Sequence, residues 1–104
     1  MTPEITQAMS KGFDGEEGRA ALLRILRWGD PRQEFIDYPR IIRAITVPTL
    51  VVQGARDVYI PRKQAIRLRD DIPGANLILI PDGGHFLPID TPEQVAEAIN
   101  GFVP

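Results

Sequence analysis

The sequence predicts an α/β chain in which two parallel strands form a βαβα unit that follows a group of helices. Two short apolar runs rich in β-branched residues, 49–53 and 76–80, are the strand candidates. A helical pattern separates them and another follows, which is the order of a right-handed crossover between parallel strands. The first 47 residues carry helix signals only, so we divide the chain into a helical segment, 1–47, and a βαβα segment, 48–104.

Caps and stop signals define the helices of the N-terminal segment. Thr2-Pro3 is a cap followed by proline at the first helical position. Asp14 can cap a second helix, which Gly29 stops. Asp30-Pro31 and Tyr38-Pro39 then predict the starts of two short helical turns.

Prolines and glycines bound the elements of the second segment. Pro61 opens the helix after the first strand, and Pro73-Gly74 ends it. Pro81 ends the second strand, and Thr91-Pro92-Glu93-Gln94 is a capping box that starts the last helix. Both strand candidates are apolar at successive positions, so we expect them to be buried on two faces.

Charge and composition exclude several classes of function. With 12 Lys and Arg against 14 Asp and Glu, the chain has a formal net charge of −2, and we expect no nucleic-acid partner. It contains no cysteine, which excludes disulfides, thiolate metal sites and a cysteine nucleophile. One histidine among scattered carboxylates lacks the spacing of a metal site, and no glycine-rich phosphate loop follows the first strand. We therefore expect no metal and no cofactor.

Targeting signals are also missing from the sequence. No apolar run reaches the roughly 20 residues that span a bilayer. The N-terminus, MTPEITQAMSKG, lacks the basic start and apolar core of a secretory signal. We expect a cytoplasmic protein with no membrane partner.

Two polar side chains follow the two predicted strands. Asp57 lies a few residues after the first strand, and His85 follows the second, directly behind Gly83 and Gly84. Because parallel strands place their carboxyl ends at the same edge of a sheet, this topology can bring the two together. The two glycines permit backbone angles that other residues resist, which can aim the imidazole back over the sheet.

The chemistry that uses such a pair is a proton relay. A carboxylate that accepts the Nδ1 hydrogen of an imidazole fixes its tautomer and leaves Nε2 free to act as a general base. The residue types alone allow a simpler interpretation. Asp57 then makes only a local Asx turn, and His85 only bonds a nearby carbonyl group.

The stretch 45–103 resembles the C-terminal end of α/β-hydrolase-fold enzymes. ITVPTLVVQGARDVYIP is similar to the family's penultimate strand, with the G-x-x-D turn that carries the triad acid. ANLILIPDGGHFLPIDTPEQVAEAINGFV is similar to its last strand, histidine loop and final helix. The resemblance implies a partial α/β-hydrolase fold with Asp57 as the acid and His85 as the catalytic base. The order of acid and then histidine agrees with the family's chain order.

Residues 1–44 resemble the helical lid, or cap domain, that many family members insert before the penultimate strand. The subgroup it resembles holds epoxide hydrolases, dehalogenases and carbon–carbon bond hydrolases, in which aromatic residues of the lid line the substrate pocket. The alternative is that such rings only pack the helices together. The aromatic candidates for substrate binding are Phe13, Trp28, Phe35 and Tyr38, together with Phe86 beside the base.

The family's nucleophile has no counterpart in this sequence. In the family, the G-x-S-x-G elbow, or its equivalent with Asp, lies upstream of the lid. The one serine, Ser10, has a helical context and no glycine two residues before it. The oxyanion-hole segment, also N-terminal in the family, is missing as well. We therefore expect the chain to carry the acid and histidine of a triad completed elsewhere, and to be inactive alone.

The identity of the absent nucleophile would decide between ester, epoxide, halide and C–C bond hydrolysis of a small-molecule substrate. Unpaired backbone at the edges of a two-stranded sheet also predicts association. We expect self-association, or pairing with a complementary N-terminal hydrolase fragment. An alternative is a non-catalytic module of this fold that self-associates or binds small molecules. A further one is slow catalysis in which the Asp57–His85 pair activates water directly.

Overall fold

We describe the fold from a computed structural model, which covers residues 2–28 and 34–103, with only the backbone of 34–36. The chain forms two compact units, Met1–Asp37 and Tyr38–Pro104. The second unit begins earlier than the predicted division after residue 47. The reason is that the end of the third helix belongs with the second unit: Ile42 is buried, and the Arg43 guanidinium lies 3.6 Å from the Asp71 carboxylate.

The first unit consists of helices. Helix α1 spans Pro3–Ser10, a 3₁₀ turn spans Lys11–Phe13, and α2 spans Gly15–Trp28. The side chain of Thr2 accepts a hydrogen bond from the N–H of Ile5 at 3.4 Å, which confirms the predicted N-terminal cap. None of residues 2–28 is buried, so these helices leave their apolar side chains at least partly open to solvent.

The third helix, α3, runs without a break over Glu34–Arg43 and contains Pro39. The prediction that Tyr38-Pro39 starts a helix was therefore wrong. The proline ring fixes a φ angle that an α-helix also uses, so the helix continues at the cost of one backbone hydrogen bond. The other predicted start, Asp30-Pro31, lies outside the described residues.

A two-stranded parallel sheet lies at the centre of the second unit. Strand β1 spans Leu50–Gly54 and β2 spans Asn76–Ile80, paired from Leu50 beside Asn76 to Gly54 beside Ile80. Helix α4, Arg62–Asp71, connects the strands, and both α4 and the last helix, α6 (Pro92–Phe102), contact both strands. The predicted βαβα unit is confirmed. A single helical turn before α6, α5 (Leu87–Asp90), was not predicted.

The core of the second unit is small. Its buried apolar residues come from α3, α4, β2, α5, α6 and the turn after α4; they are Ile42, Ala65, Ile72, Ile80, Leu87 and Ala98. Strand β2 departs from the expectation of burial on two faces, because Asn76 is exposed and Ile78 remains 37% exposed. The described helices cover this strand only in part.

The predicted capping box at the start of α6 does not form. Thr91 is buried, and its hydroxyl donates to the carbonyl oxygen of Leu87 at 3.3 Å instead of capping α6. Thr91 directly follows α5, so its hydroxyl is within reach of a carbonyl group of that helix and bonds there. Over the described ranges 2–28 and 34–103, no helix has the length and apolar character needed to cross a membrane.

Candidate active site

Asp57 lies in the turn that leaves the carboxyl end of β1. Its Oδ1 accepts hydrogen bonds from the backbone N–H of Tyr59 at 2.8 Å and of Ile60 at 2.9 Å. These bonds form the local turn that an aspartate favours. The Ile60 N–H, with smaller contributions from the His85 side chain and the Tyr59 N–H, holds the pKa of Asp57 below its ordinary value of 3.8.

His85 follows β2 and meets Asp57 at the same edge of the sheet. Its Nδ1 lies 3.1 Å from Asp57 Oδ2, where the Asp57 side chain is 6% exposed and the His85 side chain 35%. An ionised carboxylate can only accept, so a hydrogen bond between these two atoms requires the hydrogen on Nδ1. In the neutral ring, Nε2 then keeps its lone pair.

The two carboxylate oxygens of Asp57 have different partners. Oδ1 holds the turn and Oδ2 faces the imidazole. The turn therefore fixes the carboxylate in the orientation in which its second oxygen reaches His85. The structure brings together the two residues proposed as acid and base.

Backbone contacts join the Asp57 turn to the histidine loop. The N–H of Ala55 donates to the carbonyl of Ile80, and the N–H of Arg56 donates to the carbonyl of Gly83, both at 2.9 Å. At Gly54 the approach is so close that a Cβ atom would overlap the carbonyl group of Gly83. Glycine is required at the end of β1 because the other loop crosses it there.

The glycines before His85 serve close packing and not unusual backbone angles. Over 2–28 and 34–103, positive φ angles occur only at Gly15 and Gly74, so the prediction for Gly83 and Gly84 was wrong. A Cβ on Gly83 would overlap the Leu87 side chain, and one on Gly84 would lie 3.0 Å from an Asp90 carboxylate oxygen. Lack of room for a Cβ atom therefore explains Gly83, whereas at Gly84 the Asp90 carboxylate would have to shift only slightly.

Two aromatic rings stand edge-on to the imidazole of His85. The ring centroid of Tyr59 lies 5.0 Å from that of His85, with an angle of 61° between the ring planes. For Phe86 the centroid distance is 5.2 Å and the angle 81°. Phe86 was proposed from the sequence, whereas Tyr59 was not. The sequence signal that could have indicated Tyr59 was its position two residues after Asp57, where an Asx turn holds the backbone close to the acid.

A cleft of about 360 Å³ opens beside this pair. Its lining includes both candidate catalytic residues and Tyr38, one of the proposed substrate-binding residues. Gln53 also lines it: its Nε2 donates to the carbonyl of Ile60 at 2.6 Å, while its Oε1 is buried without a partner among the described residues. The remaining lining residues are Val51, Val52, Gly54, Ile60, Gln64, Ala65, Leu68, Gly84 and Leu87.

The other aromatic candidates lie in or at the end of the first unit. Trp28 ends α2 and is 92% exposed, beside Arg24, Ile25 and Arg27. Phe13, in the 3₁₀ turn, is 38% exposed. The side chain of Phe35 lies outside the described residues, so these substrate contacts stay predictions. In 2–28 and 34–103, no three His, Asp or Glu side chains are grouped to hold a metal ion.

Comparisons with known proteins identify the family of this chain. The sequence model described as "Alpha/beta hydrolase family" matches residues 2–98. The chain is 33% identical over 85% of its length to 2-hydroxy-6-oxo-6-(2'-aminophenyl)hexa-2,4-dienoic acid hydrolase of Metapseudomonas resinovorans, covering 30% of that protein. It is 36% identical over 77% of its length to pimeloyl-(acyl-carrier protein) methyl ester esterase of Pectobacterium atrosepticum, covering 29% of it.

A solved structure gives the same result. BpoC of Mycobacterium tuberculosis H37Rv, which is named a non-heme bromoperoxidase, is 34% identical to this chain with a TM-score of 0.56. The match covers 59% of this chain and 23% of that one. The chain thus spans about a third or less of the length of these relatives. Since the family's sequence model matches nearly the whole chain, residues 2–98, this chain belongs to the alpha/beta hydrolase family.

Proposed function

We propose that this chain carries the acid and general base of a hydrolase triad, Asp57 and His85, and that the nucleophile comes from outside these 104 residues. The observation that carries the proposal is the 3.1 Å contact between His85 Nδ1 and Asp57 Oδ2. The other carboxylate oxygen is held by two backbone N–H groups, so the acid is fixed independently of the histidine. Nε2 is then available for proton transfer.

The chemistry follows from the protons that this pair can move. With a serine nucleophile, Nε2 removes the hydroxyl proton as the oxygen attacks the substrate, and the proton then passes to the leaving group. With an aspartate nucleophile, Nε2 instead removes a proton from the water that hydrolyses the covalent intermediate. In both cases Asp57 stabilises the imidazolium. The tyrosine and phenylalanine rings beside His85 supply apolar contact for the substrate.

The reactions that use this pair are hydrolysis of an ester, epoxide, halide or C–C bond in a small molecule. One relative is named a methyl ester esterase, which supports ester hydrolysis. Another is named a dienoic acid hydrolase, which supports hydrolysis but does not select the bond. We place the reaction in the cytoplasm, in keeping with a chain that contains no cysteine.

We propose that a complementary N-terminal hydrolase segment supplies the nucleophile. Strand β1 is paired on one side with β2, and the described residues supply no strand for its other side. Such an edge offers backbone N–H and C=O groups to another strand. The second candidate is self-association without catalysis, which the exposure of Ile78 on β2 favours.

The proposal is tested in a chimera. This chain replaces the corresponding segment of the methyl ester esterase, which supplies the rest of the core, and hydrolysis of an activated aryl ester is measured. We expect activity that falls by about 10²–10⁴ in His85→Ala, the usual contribution of a general base. Arg69→Gln, on the exposed face of α4, is the matched control and should keep full activity.

Equal rates for the chimera and its His85→Ala variant would contradict the proposed role. Light scattering of the unfused chain decides between the two partner candidates. A homo-oligomer at micromolar concentration would favour self-association. A monomer that binds the esterase's separately expressed N-terminal fragment would favour the complementary partner.

A further inference from the structure

The turn that carries Asp57 and the loop that carries His85 are also connected through their neighbouring residues. The guanidinium Nη2 of Arg56 lies 2.9 Å from Asp82 Oδ1. The backbone N–H of the same arginine donates to the carbonyl of Gly83. Arg56, directly before the acid, therefore holds the histidine loop twice, once through its backbone and once through its side chain.

The ion pair lies on the outside of the molecule. The Arg56 and Asp82 side chains are 71% and 64% exposed. An exposed ion pair contributes little to the free energy of unfolding, because water screens both charges. Its contribution would therefore be geometric: it limits sliding of one loop past the other where Gly54 and Gly83 are in close contact.

We propose that Arg56 and Asp82 are positioning residues that keep the His85 imidazole in register with the Asp57 carboxylate. The inference rests on the proposed relay, and it adds that the Arg56–Asp82 ion pair sets the geometry of the Asp57–His85 contact. The crossing at Gly54 and Gly83 allows the loops to touch, and the ion pair fixes where they do so. Neither residue is proposed to contact the substrate or to transfer a proton.

The test uses the complete chain and the ring nitrogens of its single histidine. In ¹⁵N-labelled protein at about pH 9, where an ordinary imidazole is neutral, the ring ¹⁵N shifts report the tautomer. We expect Nδ1 to be protonated and Nε2 unprotonated in the unmodified chain. In Arg56→Gln and in Asp82→Asn, the two shifts should move towards each other as the second tautomer becomes populated.

Two controls separate positioning from general loss of structure. Arg69→Gln removes a similarly exposed ion pair, Arg69–Asp70 at 2.8 Å, and should leave the ring shifts unchanged. Far-UV circular dichroism should be the same for all variants. The exchanged pair, Arg56→Asp with Asp82→Arg, restores opposite charges across the two loops and should return the ring shifts to their original positions.

Each outcome bears on a different part of the inference. Ring shifts unchanged in Arg56→Gln and Asp82→Asn would overturn the positioning role. Failure of the exchanged pair to restore them would do the same. A mixture of tautomers already present in the unmodified chain would contradict the relay itself, and so the proposed function.

Discussion

Gln53 occupies a buried position in β1 where its amide is only half satisfied. It is 7% exposed, its Nε2 donates to the Ile60 carbonyl at 2.6 Å, and its Oε1 has no partner among the described residues. Substitution by leucine removes one hydrogen bond, worth about 1 kcal/mol when water replaces the amide at the carbonyl of Ile60, a residue that is 41% exposed. It also removes an unpaired acceptor that costs about 1–3 kcal/mol. We therefore expect Gln53→Leu to raise the free energy of unfolding by about 1 kcal/mol.

Gln53→Glu should act in the opposite direction. It places a carboxylate in the same buried position, facing the Ile60 carbonyl that the amide hydrogen now satisfies. Burial disfavours the ionised form and raises the pKa of the introduced acid above its unfolded value of about 4.3. The destabilisation by Gln53→Glu is therefore largest at pH values above the pKa of this acid in the folded state. It should disappear as the pH falls below about 4.3, where the carboxyl becomes protonated in both states.

The assay is urea unfolding followed by far-UV circular dichroism at pH 7 and near pH 4. Gln94→Leu, an exposed glutamine on α6, is the matched control and should change the free energy of unfolding by less than about 0.5 kcal/mol. A loss of more than about 1 kcal/mol in Gln53→Leu would mean that the bond to Ile60 outweighs the unpaired oxygen. A Gln53→Glu variant as stable as the unmodified chain at pH 7 would refute the burial argument.

Further predictions concern the acid, the core and the link between α5 and α6. Because the folded-state pKa of Asp57 lies below its ordinary 3.8, its ionised form stabilises the fold above that value, and this contribution is lost as the pH falls through the folded pKa. The stability difference between the unmodified chain and Asp57→Asn in acid urea titrations should therefore shrink with falling pH; a constant difference would refute this. Ile80→Ala, at a position 3% exposed, should cost about 2–5 kcal/mol in urea unfolding. Ile78→Ala, on the same strand but 37% exposed, should cost clearly less, and equal losses would contradict the burial pattern. Thr91→Val removes the buried hydroxyl that donates to Leu87 and should cost about 0.5–1.5 kcal/mol in thermal or urea unfolding, whereas Thr91→Ser should keep most of that contribution.

Local sequence signals were sufficient for most elements of the second unit. β-Branched runs bounded by proline and glycine located β1 and β2 to within a residue, and Pro61 and Pro92 marked the starts of α4 and α6. Local signals failed where a residue had two possible partners. The hydroxyl of Thr91 is equally suited to capping α6 or to bonding the end of α5, and only the packed structure decides between them.

The candidate site was predictable to the extent that topology determines it. Two parallel strands place Asp57 and His85 at one sheet edge whatever the details of packing. The reason for Gly83 was not predictable, because it depends on the Leu87 side chain, which reaches this position through a helical turn that the sequence did not reveal. Tyr59 was missed since its contact with the imidazole is set by the geometry of the Asx turn and not by any hydrophobic pattern.

The crossing of the two loops at Gly54 and Gly83 has a consequence for how this family can vary. Two segments that touch through their backbones cannot change length independently, so an insertion between Gly54 and Asp57 would need a matching change between Ile80 and His85. The turn at Gly74, with open space around it, has no such restriction. Engineers who transplant this acid and base into another α/β scaffold would need to move both loops as one unit, and are free to choose the connection between the strands.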